Sequence, residues 1–220
     1  MINMVEYSAF NTDVFSNIPS GALSILDVGC GTGAMGAALK KQHTGRLVYG
    51  LTYSQAEAEI AGKVMDKVLV SDINREMPQL DRQFDCIIFS HVLEHTTDPV
   101  SILTHFKKYL NKGGIVVIAL PNILFYKQRW QLAKGNFRYS KEGGLMDDTH
   151  YKFFDHNTAA ELLEEAGYSI VLRYATGNIP IGLLRKGAPE LCKKIDSFFV
   201  KRFPGLFGFQ FILIGKNKSE

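Results

Sequence analysis

Short apolar runs alternate with longer amphipathic stretches along most of this chain of 220 residues. The runs have the length of β-strands and are rich in β-branched and aliphatic residues; in the first half of the chain they lie at 25–28, 46–51, 67–73, 84–90 and 115–119. Stretches with helical character separate them, at 35–42, 55–65 and 99–110. Strands that alternate with helices at this spacing predict crossover connections and a parallel sheet.

The second half of the chain continues this pattern less regularly. A helix at 159–166 leads into a strand at 168–174, and a last strand follows at 210–214. The sequence therefore predicts an α/β fold. The run at 84–90 is apolar almost throughout, which is typical of a strand that is buried on both faces.

A glycine-rich segment joins the first strand to the first helix. Gly31, Gly33 and Gly36 match the dinucleotide-binding fingerprint, in which the loop holds a pyrophosphate at the N-terminus of the helix. Asp27, at the end of the strand, would repel a diphosphate and would attract a cationic group. Thr52 also stands where the dinucleotide pattern requires an acid. We therefore expect a cationic ligand without phosphate, and keep an NAD-dependent oxidoreductase as an alternative.

The segment from Leu26 to Gly33, with the sequence LDVGCGTG, resembles the first motif of class I S-adenosylmethionine-dependent methyltransferases. The resemblance implies a Rossmann-like doubly wound fold, whose mostly parallel seven-stranded sheet has an antiparallel edge strand. It also implies that the cofactor is S-adenosylmethionine, which carries an ammonium and a sulfonium but no phosphate. The residues of this motif that it places at the cofactor are Asp27, Gly29, Cys30, Gly31 and Gly33.

Later positions complete the cofactor site that the resemblance implies. Thr52 replaces the acid with which relatives bind both ribose hydroxyls, and a threonine can make only one neutral hydrogen bond there. Asp72 and Ile73 match the adenine contact, although Asp72 could instead cap a turn. Ser90 and His91 lead into the fourth motif of the family.

The residues from His91 to His95 also spell H-x-x-E-H, a zinc-peptidase signature. That signature requires a regular helix, whereas Pro99 would stop any helix that starts at His91 within two turns. Similar positions in quinone-biosynthesis O-methyltransferases form a divalent-metal site, but His91 stands here in place of an expected acid. We therefore predict no metal ligands.

The chain after the fifth strand is predicted to cover the substrate, because ligands of such sheets bind beyond the carboxyl ends of the strands. The segment 121–154 is rich in aromatic residues and contains Gly143-Gly144, followed by Asp148-Thr149-His150. We interpret this segment as a lid, since long excursions inside a compact domain are usually functional or disordered.

We expect one domain over 1–220, with an N-terminal lead at 1–22, a cofactor-binding half at 23–120 and an insertion at 178–205. Tyr7 in the lead either closes over the cofactor or packs against the protein. The insertion is basic and amphipathic. Such a segment contacts an anionic membrane surface, receives an anionic substrate or packs on its own domain, and we favour packing.

Composition narrows the functional class. A formal net charge of +3 without a basic arm gives no indication of a nucleic-acid partner. We expect no secretory signal, and no apolar run approaches the roughly 20 residues of a membrane span. Three widely spaced cysteines without a C-x-x-C pair indicate buried thiols in a reducing, cytoplasmic setting. The sequence leaves the oligomeric state open.

The resulting hypothesis is O-methylation of a small molecule, with a sugar, a lipid-linked or an aromatic acceptor. A hydroxyl acceptor has to lose its proton, and a histidine with a pKa of about 7 is a suitable base. His150 is the first candidate because it follows two acids, and His91 and His95 beside the cofactor pocket are the next. Each of them could equally be structural. A methyltransferase fold that serves as a binding module without catalysis is a further alternative.

Overall fold

The computed structural model describes residues 10–218, except for the side chains at positions 183, 184 and 186. Tyr7 and the rest of the predicted lead before residue 10 lie outside the described residues. The strands of the described part of the chain form one seven-stranded sheet.

The strands explain the alternating pattern of the sequence. They are β1 (Ser24–Val28), β2 (Leu47–Thr52), β3 (Lys67–Val70), β4 (Phe84–Ser90), β5 (Leu110–Pro121), β6 (Tyr168–Gly177) and β7 (Gly208–Asn217). Their order across the sheet is β3-β2-β1-β4-β5-β7-β6. The strands β1 to β5 pair in parallel, whereas β7 pairs antiparallel with both β5 and β6.

This topology confirms the predicted Rossmann-like, mostly parallel fold. The predicted antiparallel strand is β7, and it lies one position in from the edge of the sheet. The reason is that β6, which precedes it in the chain, pairs along its outer side and becomes the outermost strand.

Helices connect the strands and cover both faces of the sheet. They are α1 (Thr12–Phe15), α2 (Ala34–Gln42), α3 (Gln55–Ala61), α4 (Pro99–Lys107), α5 (Tyr126–Ala133), α6 (Thr158–Glu165), α7 (Gly182–Gly187), α8 (Pro189–Arg202) and α9 (Pro204–Phe207). A 3₁₀ turn, Leu93–His95, follows β4. Because helices cover the faces, the strand interiors are apolar, and ligands have access at the carboxyl ends of the strands.

Two apolar clusters lie on opposite faces of the sheet. Along β1, Leu26 and Val28 belong to one cluster and Ile25 belongs to the other, as the two-residue period of a strand requires. The three cysteines are free and buried, which confirms the prediction of buried thiols. No helix in the described part of the chain is long and apolar enough to cross a lipid bilayer.

Most strand boundaries differ from the predicted ones by one or more residues, and two of these differences change the position of a predicted feature. β3 ends at Val70, so that the predicted adenine contact lies in the turn after the strand. β5 begins at Leu110, although the sequence predicted a helix up to that residue and a glycine turn after it. The pairing with β4 shifts register between Phe84 and Cys86, which accommodates residues 111–114, and Gly113 there has a φ of 75°.

The predicted lid at 121–154 leaves the sheet and returns to it. Asn122 and Phe154 form a parallel bridge, and the N–H of Ile123 donates to the Phe154 carbonyl at 3.0 Å. α5 lies within this excursion and has no buried residue.

The predicted insertion at 178–205 contains α7 and α8 and ends within α9. α8 buries Cys192, Asp196 and Val200, and Asp196 forms an ion pair with Arg185. The insertion therefore packs on its own domain, which is the alternative that we favoured from the sequence.

Candidate active site

The glycine loop follows β1 at the edge where the parallel strands end. The N–H groups of Gly29 and Cys30 both donate to the Leu51 carbonyl, at 2.7 and 3.0 Å, and fix the loop to β2. Gly29, Gly31 and Gly33 have φ angles of 76°, 53° and 85°. Residues with a Cβ adopt this left-handed conformation only at a cost, which explains the spacing of the glycines.

The three glycines differ in what surrounds them. A Cβ at Gly29 would collide with the side chain of Val92, and a Cβ at Gly33 would lie 3.0 Å from the Cα of Ala61. At Gly31 a Cβ would meet nothing within 4 Å. Gly29 and Gly33 are therefore required by the packing of the protein itself, whereas Gly31 borders open space in which a ligand can approach the backbone.

Asp27 lies in β1 between Gly50 of β2 and Ile88 of β4, and is only 3% exposed. Burial takes its carboxylate out of water and raises its pKa from 3.8 to about 7. Burial, together with the charge of Asp27, also raises the pKa of the Cys30 thiol to about 12. A buried carboxylate is costly unless a cation lies beside it, so Asp27 is electrostatically suited to a cationic ligand.

Thr52, at the end of β2, is buried and donates its hydroxyl proton to Oε2 of Glu57 at 2.6 Å. Glu57 lies in the first turn of α3, for which Ser54 is the N-cap residue as predicted. In a capping box the glutamate would accept the N–H of Ser54, but that N–H lies 3.3 Å from the Thr52 hydroxyl instead. The Glu57 carboxylate is therefore available at the end of β2.

Sequence reasoning missed Glu57 because the family's acid is expected at the strand end itself, whereas Glu57 lies five positions after Thr52, on the next helix. The S-x-x-E spacing at 54–57 was a signal, but it explains the glutamate as a helix cap. The structure brings a carboxylate to the strand end at which the sequence alone showed a threonine.

Asp72 and Ile73 lie in the turn that follows β3. Oδ1 of Asp72 accepts the N–H of Asn74 at 3.0 Å, and Oδ2 lies 3.2 Å from Nε of Arg75. The turn-capping role that we considered for Asp72 is thus present, while its adenine contact stays a prediction. The side chain of Ile73 is buried in the core.

His91 follows Ser90 at the end of β4 and has a φ of 56°; among residues 10–218 it is the only residue other than glycine with a positive φ. Strain of this kind tends to concentrate at functional sites. Nδ1 of His91 lies 3.1 Å from Oε1 of Glu94, and Nε2 lies 2.8 Å from Oε1 of Gln210.

Residues of α1 and its N-cap, together with Thr176, orient the Gln210 amide that faces His91. Nε2 of Gln210 donates to Asp13 at 2.9 Å, and Oε1 accepts from Asn11 at 2.8 Å. Both ring nitrogens of His91 therefore face acceptors. Burial lowers the pKa of His91, but its hydrogen bond to Glu94 and the Glu94 charge outweigh this effect, and the pKa is raised overall. His91 is suited to donate two hydrogen bonds as an imidazolium.

Glu94, His95 and His150 lie together, with one possible ligand atom of each within 4.8 Å of the others. The backbone of the predicted lid brings His150 to this place, because the N–H groups of Tyr151 and Lys152 donate to the Glu94 carbonyl at 2.8 and 3.1 Å. The rings of His95 and His150 have their centroids 4.6 Å apart. We missed Glu94 as a site residue although it stands within the H-x-x-E-H pattern.

Two atoms of this cluster, Oε2 of Glu94 and Nδ1 of His150, are buried and have no hydrogen-bond partner within the described part of the chain. Unpaired buried polar atoms are rare in native proteins, and each calls for an explanation. Burial lowers the pKa of His150, and the neighbouring His95 lowers it further, although the charges of Glu94 and Asp147 and a hydrogen bond to the Leu145 backbone oppose this shift. His150 is therefore neutral at pH 7 and can accept a proton.

His95 makes different contacts. Its Nδ1 lies 2.9 Å from the hydroxyl and 3.3 Å from the carbonyl of Thr149. The Thr149 hydroxyl donates its proton to Asp147 at 2.6 Å, so it can only accept from His95. Nδ1 of His95 therefore carries a proton, so that Nε2 is the nitrogen that can accept one in the neutral tautomer.

The zinc-peptidase alternative is not supported by this geometry. The 3₁₀ turn contains only three residues, so His91 and His95 do not share the face of a regular helix. The cluster of potential metal ligands contains His95 and His150 together with Glu94, but not His91.

Comparison with known proteins identifies the family. A family profile described as methyltransferase domain matches residues 8–172. The ubiquinone biosynthesis O-methyltransferase of Ruegeria sp. (strain TM1040) is 28% identical over 182 residues, which cover 74% of this chain and 67% of that protein. The ubiquinone biosynthesis O-methyltransferase of Histophilus somni (strain 2336) is 31% identical over 118 residues, which cover 49% of this chain and 48% of that protein. The chain thus spans about two thirds of the first relative and about half of the second.

Solved structures agree in fold. An S-adenosylmethionine-dependent methyltransferase from Archaeoglobus fulgidus has a TM-score of 0.60 at 21% identity, covering 90% of this chain and 87% of that chain. The O-methyltransferase of a Brevibacillus brevis multienzyme, in complex with S-adenosyl-L-homocysteine, has a TM-score of 0.60 at 16% identity. The match covers 95% of this chain and 72% of that chain. With the profile match over most of its length, the chain belongs to the methyltransferase domain family, as a class I S-adenosylmethionine-dependent methyltransferase.

Proposed function

We propose that this methyltransferase transfers the methyl group to a hydroxyl of a small molecule. The observation that carries the proposal is the pair of buried, unpartnered atoms, Oε2 of Glu94 and Nδ1 of His150, beyond the end of β4. A hydroxyl bound between them could donate its proton to the histidine. Two relatives are named ubiquinone biosynthesis O-methyltransferases, which makes an aromatic hydroxyl the first acceptor to test.

The residues around the glycine loop fit the family's cofactor. We assign the buried Asp27 to its ammonium group, the open side of Gly31 to close approach of the backbone, and Glu57 with Thr52 to its ribose hydroxyls. When bound, S-adenosylmethionine supplies an electrophilic methyl group. The other positions that we assign to the border of this site are Gly29, Cys30, Gly33, Asp72, Ile73, Ser90 and His91.

We place the general base at His150. Its Nδ1 is buried and unpartnered, and burial keeps the ring neutral, whereas both nitrogens of His91 already face acceptors. His95 is the second candidate through Nε2. After proton transfer, the carboxylate of Glu94 would stabilise the imidazolium of His150. The segment 121–154 would exclude water as a lid.

His150→Ala is expected to lower turnover at least tenfold and to leave the affinity for S-adenosylhomocysteine unchanged, because the base is lost and the glycine loop is not touched. Turnover is measured as release of S-adenosylhomocysteine with a panel of catechols, phenols and sugars. With saturating cofactor, turnover of the unmodified protein should stay constant down to about pH 6.5 and decrease at lower pH. The reason is that the pKa of His150 is lowered from the usual value of 6.5, and protonation removes the base.

His43→Ala is the matched control, since His43 is an exposed histidine at the end of α2. Normal turnover of the His150→Ala variant with an accepted substrate would remove His150 from the mechanism. Methylation of amines but of no hydroxyl in the panel would contradict the proposed O-methylation.

Glu57→Gln is expected to weaken binding of S-adenosylhomocysteine about tenfold, because a charge-assisted hydrogen bond to the ribose becomes a neutral one. Calorimetry with the 2′-deoxy analogue sharpens the test. The unmodified protein should bind this analogue more weakly than the parent compound, and the variant should distinguish the two less. Glu59→Gln, two residues further on the same helix and exposed, is the control. Equal discrimination by both variants would contradict a ribose contact of Glu57.

Glu94, His95 and His150 could also hold a divalent cation, because one carboxylate and two imidazoles are a suitable ligand set. A cation there would lower the pKa of a coordinated hydroxyl. Our prediction of no metal ligands leads us to expect that dialysis against EDTA leaves turnover unchanged. Loss of turnover on dialysis, with recovery after Mg²⁺ or Zn²⁺ is added, would replace the base mechanism by a metal site.

The family assignment leaves the NAD-dependent oxidoreductase without support. Thr52 favours the alternative of a binding module without catalysis, because a threonine can make only one neutral hydrogen bond at the ribose, and the carboxylate of Glu57 beside it weakens that argument. Binding of S-adenosylhomocysteine together with no methyl transfer to any acceptor of the panel would favour the binding module.

A further inference from the structure

The predicted lid contains an arm in which every residue from 129 to 139 is exposed. This exposed arm contains three large aromatic side chains: Trp130 is 62% exposed, Phe137 59% and Tyr139 56%. Single exposed apolar side chains are ordinary, but several of them on one short segment indicate a surface that another molecule covers.

The charges of the same segment are all of one sign. Residues 126–141 contain five cations and no acid; the cations are Lys127, Arg129, Lys134, Arg138 and Lys141. Within the described residues, none of these cations forms an ion pair with a carboxylate. Nζ of Lys134 lies 4.9 Å from the centre of the Trp130 ring, so that positive charge and aromatic surface are adjacent.

The basic insertion at 178–205 is organised differently, although its composition suggested a membrane contact. Lys193 pairs with Glu190, and Arg185 pairs with Asp196. Its longest helix, α8, buries one side against the domain, whereas α5 buries no residue. The outer side of α8 does carry Phe198, which is 66% exposed, near Lys194 and Lys201, for which the described residues provide no carboxylate partner. The arm differs from it in three ways: it contains no acid, it buries no residue of α5, and its exposed rings include a tryptophan and a tyrosine.

We propose that the exposed arm at 129–139, with the flanking cations Lys127 and Lys141, docks on an anionic lipid surface. Tryptophan and tyrosine prefer the interface between water and lipid, and unpaired lysine and arginine side chains are attracted to anionic headgroups. Both properties occur together here on a segment that the domain itself leaves uncovered. The proposal does not depend on the identity of the methyl acceptor.

Trp130 provides a direct test, because it is the only tryptophan of the chain. The unmodified protein is mixed with vesicles of phosphatidylcholine, or of phosphatidylcholine with about a third phosphatidylglycerol. We expect at least tenfold stronger binding to the anionic vesicles, a shift of the Trp130 emission to shorter wavelength, and loss of binding at about 1 M salt. Equal binding to both kinds of vesicle, or binding to neither, would overturn the proposal.

Paired substitutions locate the contact. Lys134→Gln with Arg138→Gln should weaken binding to the anionic vesicles about tenfold or more. Lys194→Gln with Lys201→Gln, on the exposed side of α8, removes the same charge and should have little effect. Affinity for S-adenosylhomocysteine shows whether each variant is folded. Loss of vesicle binding in the α8 pair but not in the arm pair would overturn the proposal and assign the contact to the insertion.

Discussion

Asp27→Asn is expected to lower the affinity for S-adenosylhomocysteine about a hundredfold, because the buried carboxylate that we assign to the ammonium group of the cofactor becomes a neutral amide. A hydrogen bond between charged groups contributes about 1.5–3 kcal/mol, and a hundredfold change corresponds to about 2.7 kcal/mol. Isothermal titration calorimetry measures the change directly. Asp81→Asn is the control, because Asp81 is exposed and pairs only with Lys67 and Arg82 on the surface.

The pH dependence of cofactor binding gives a second measurement on the same residue. Since burial raises the pKa of Asp27 to about 7 in the free protein, a bound cation has to displace a proton below that pH. The affinity of the unmodified protein should therefore be about tenfold lower at pH 6 than at pH 8. The Asp27→Asn variant should show no such change. An unchanged affinity of this variant would remove the electrostatic basis of the proposed cofactor site.

The raised pKa of Asp27 also predicts an effect on stability, with a definite sign. Its folded-state pKa exceeds the ordinary value of 3.8, so the unfolded chain releases the proton first, and stability falls as pH rises from about 4 to about 7. The difference corresponds to a destabilisation on the order of 4 kcal/mol above pH 7. Without cofactor, the Asp27→Asn variant should therefore melt at a higher temperature than the unmodified protein at pH 8, with little difference at about pH 4.

Glu94→Gln is expected to lower turnover about a hundredfold. Oε1 of Glu94 contacts His91, Oε2 is buried without a hydrogen-bond partner among the described residues, and Glu94 lies in the cluster with His95 and His150. One substitution therefore removes the negative charge that faces all of these histidines. Removal of a single preorganised electrostatic group from an active site commonly has an effect of this size. The amide keeps the shape of the side chain, so the fold should be retained. Turnover is measured with saturating cofactor, and the affinity for S-adenosylhomocysteine is measured separately.

Glu161→Gln, on the exposed side of α6, is the matched control for the loss of one carboxylate. If Glu94→Gln loses affinity for the cofactor in proportion to turnover, Glu94 acts through the cofactor site and not through the base. If both properties are unchanged, the carboxylate of Glu94 has no part in the reaction.

Most of the fold could be predicted from the sequence because local patterns determine it. The apolar run at 84–90 became β4, and the glycine spacing after Asp27 became the turn between β1 and α2. The position of β7 between β5 and β6 could not be predicted in the same way. Strand order depends on pairing between distant segments, which the periodicity of one segment does not contain.

The candidate site was less accessible to sequence reasoning for the same reason. Asp27 could be recognised because its motif is contiguous. Glu57 lies only five residues after Thr52, but the S-x-x-E spacing at 54–57 explains it as a helix cap, and that pattern does not contain its contact with the Thr52 hydroxyl. Glu94 and His150 lie far apart in the chain and meet only because the lid backbone binds to the Glu94 carbonyl. Side-chain contacts across such separations require coordinates.

The side-chain amide of Gln210 links the first helix of the described chain to the protonation state of His91. Asp13 and Asn11 hold this amide with its oxygen towards His91. If that helix were displaced and the amide rotated by half a turn, an N–H group would face Nε2 of His91, which would then have to give up its proton in order to accept. Asn11 and Asp13 thereby support, together with Glu94, the charged form of a histidine that lies about 80 residues further along the chain.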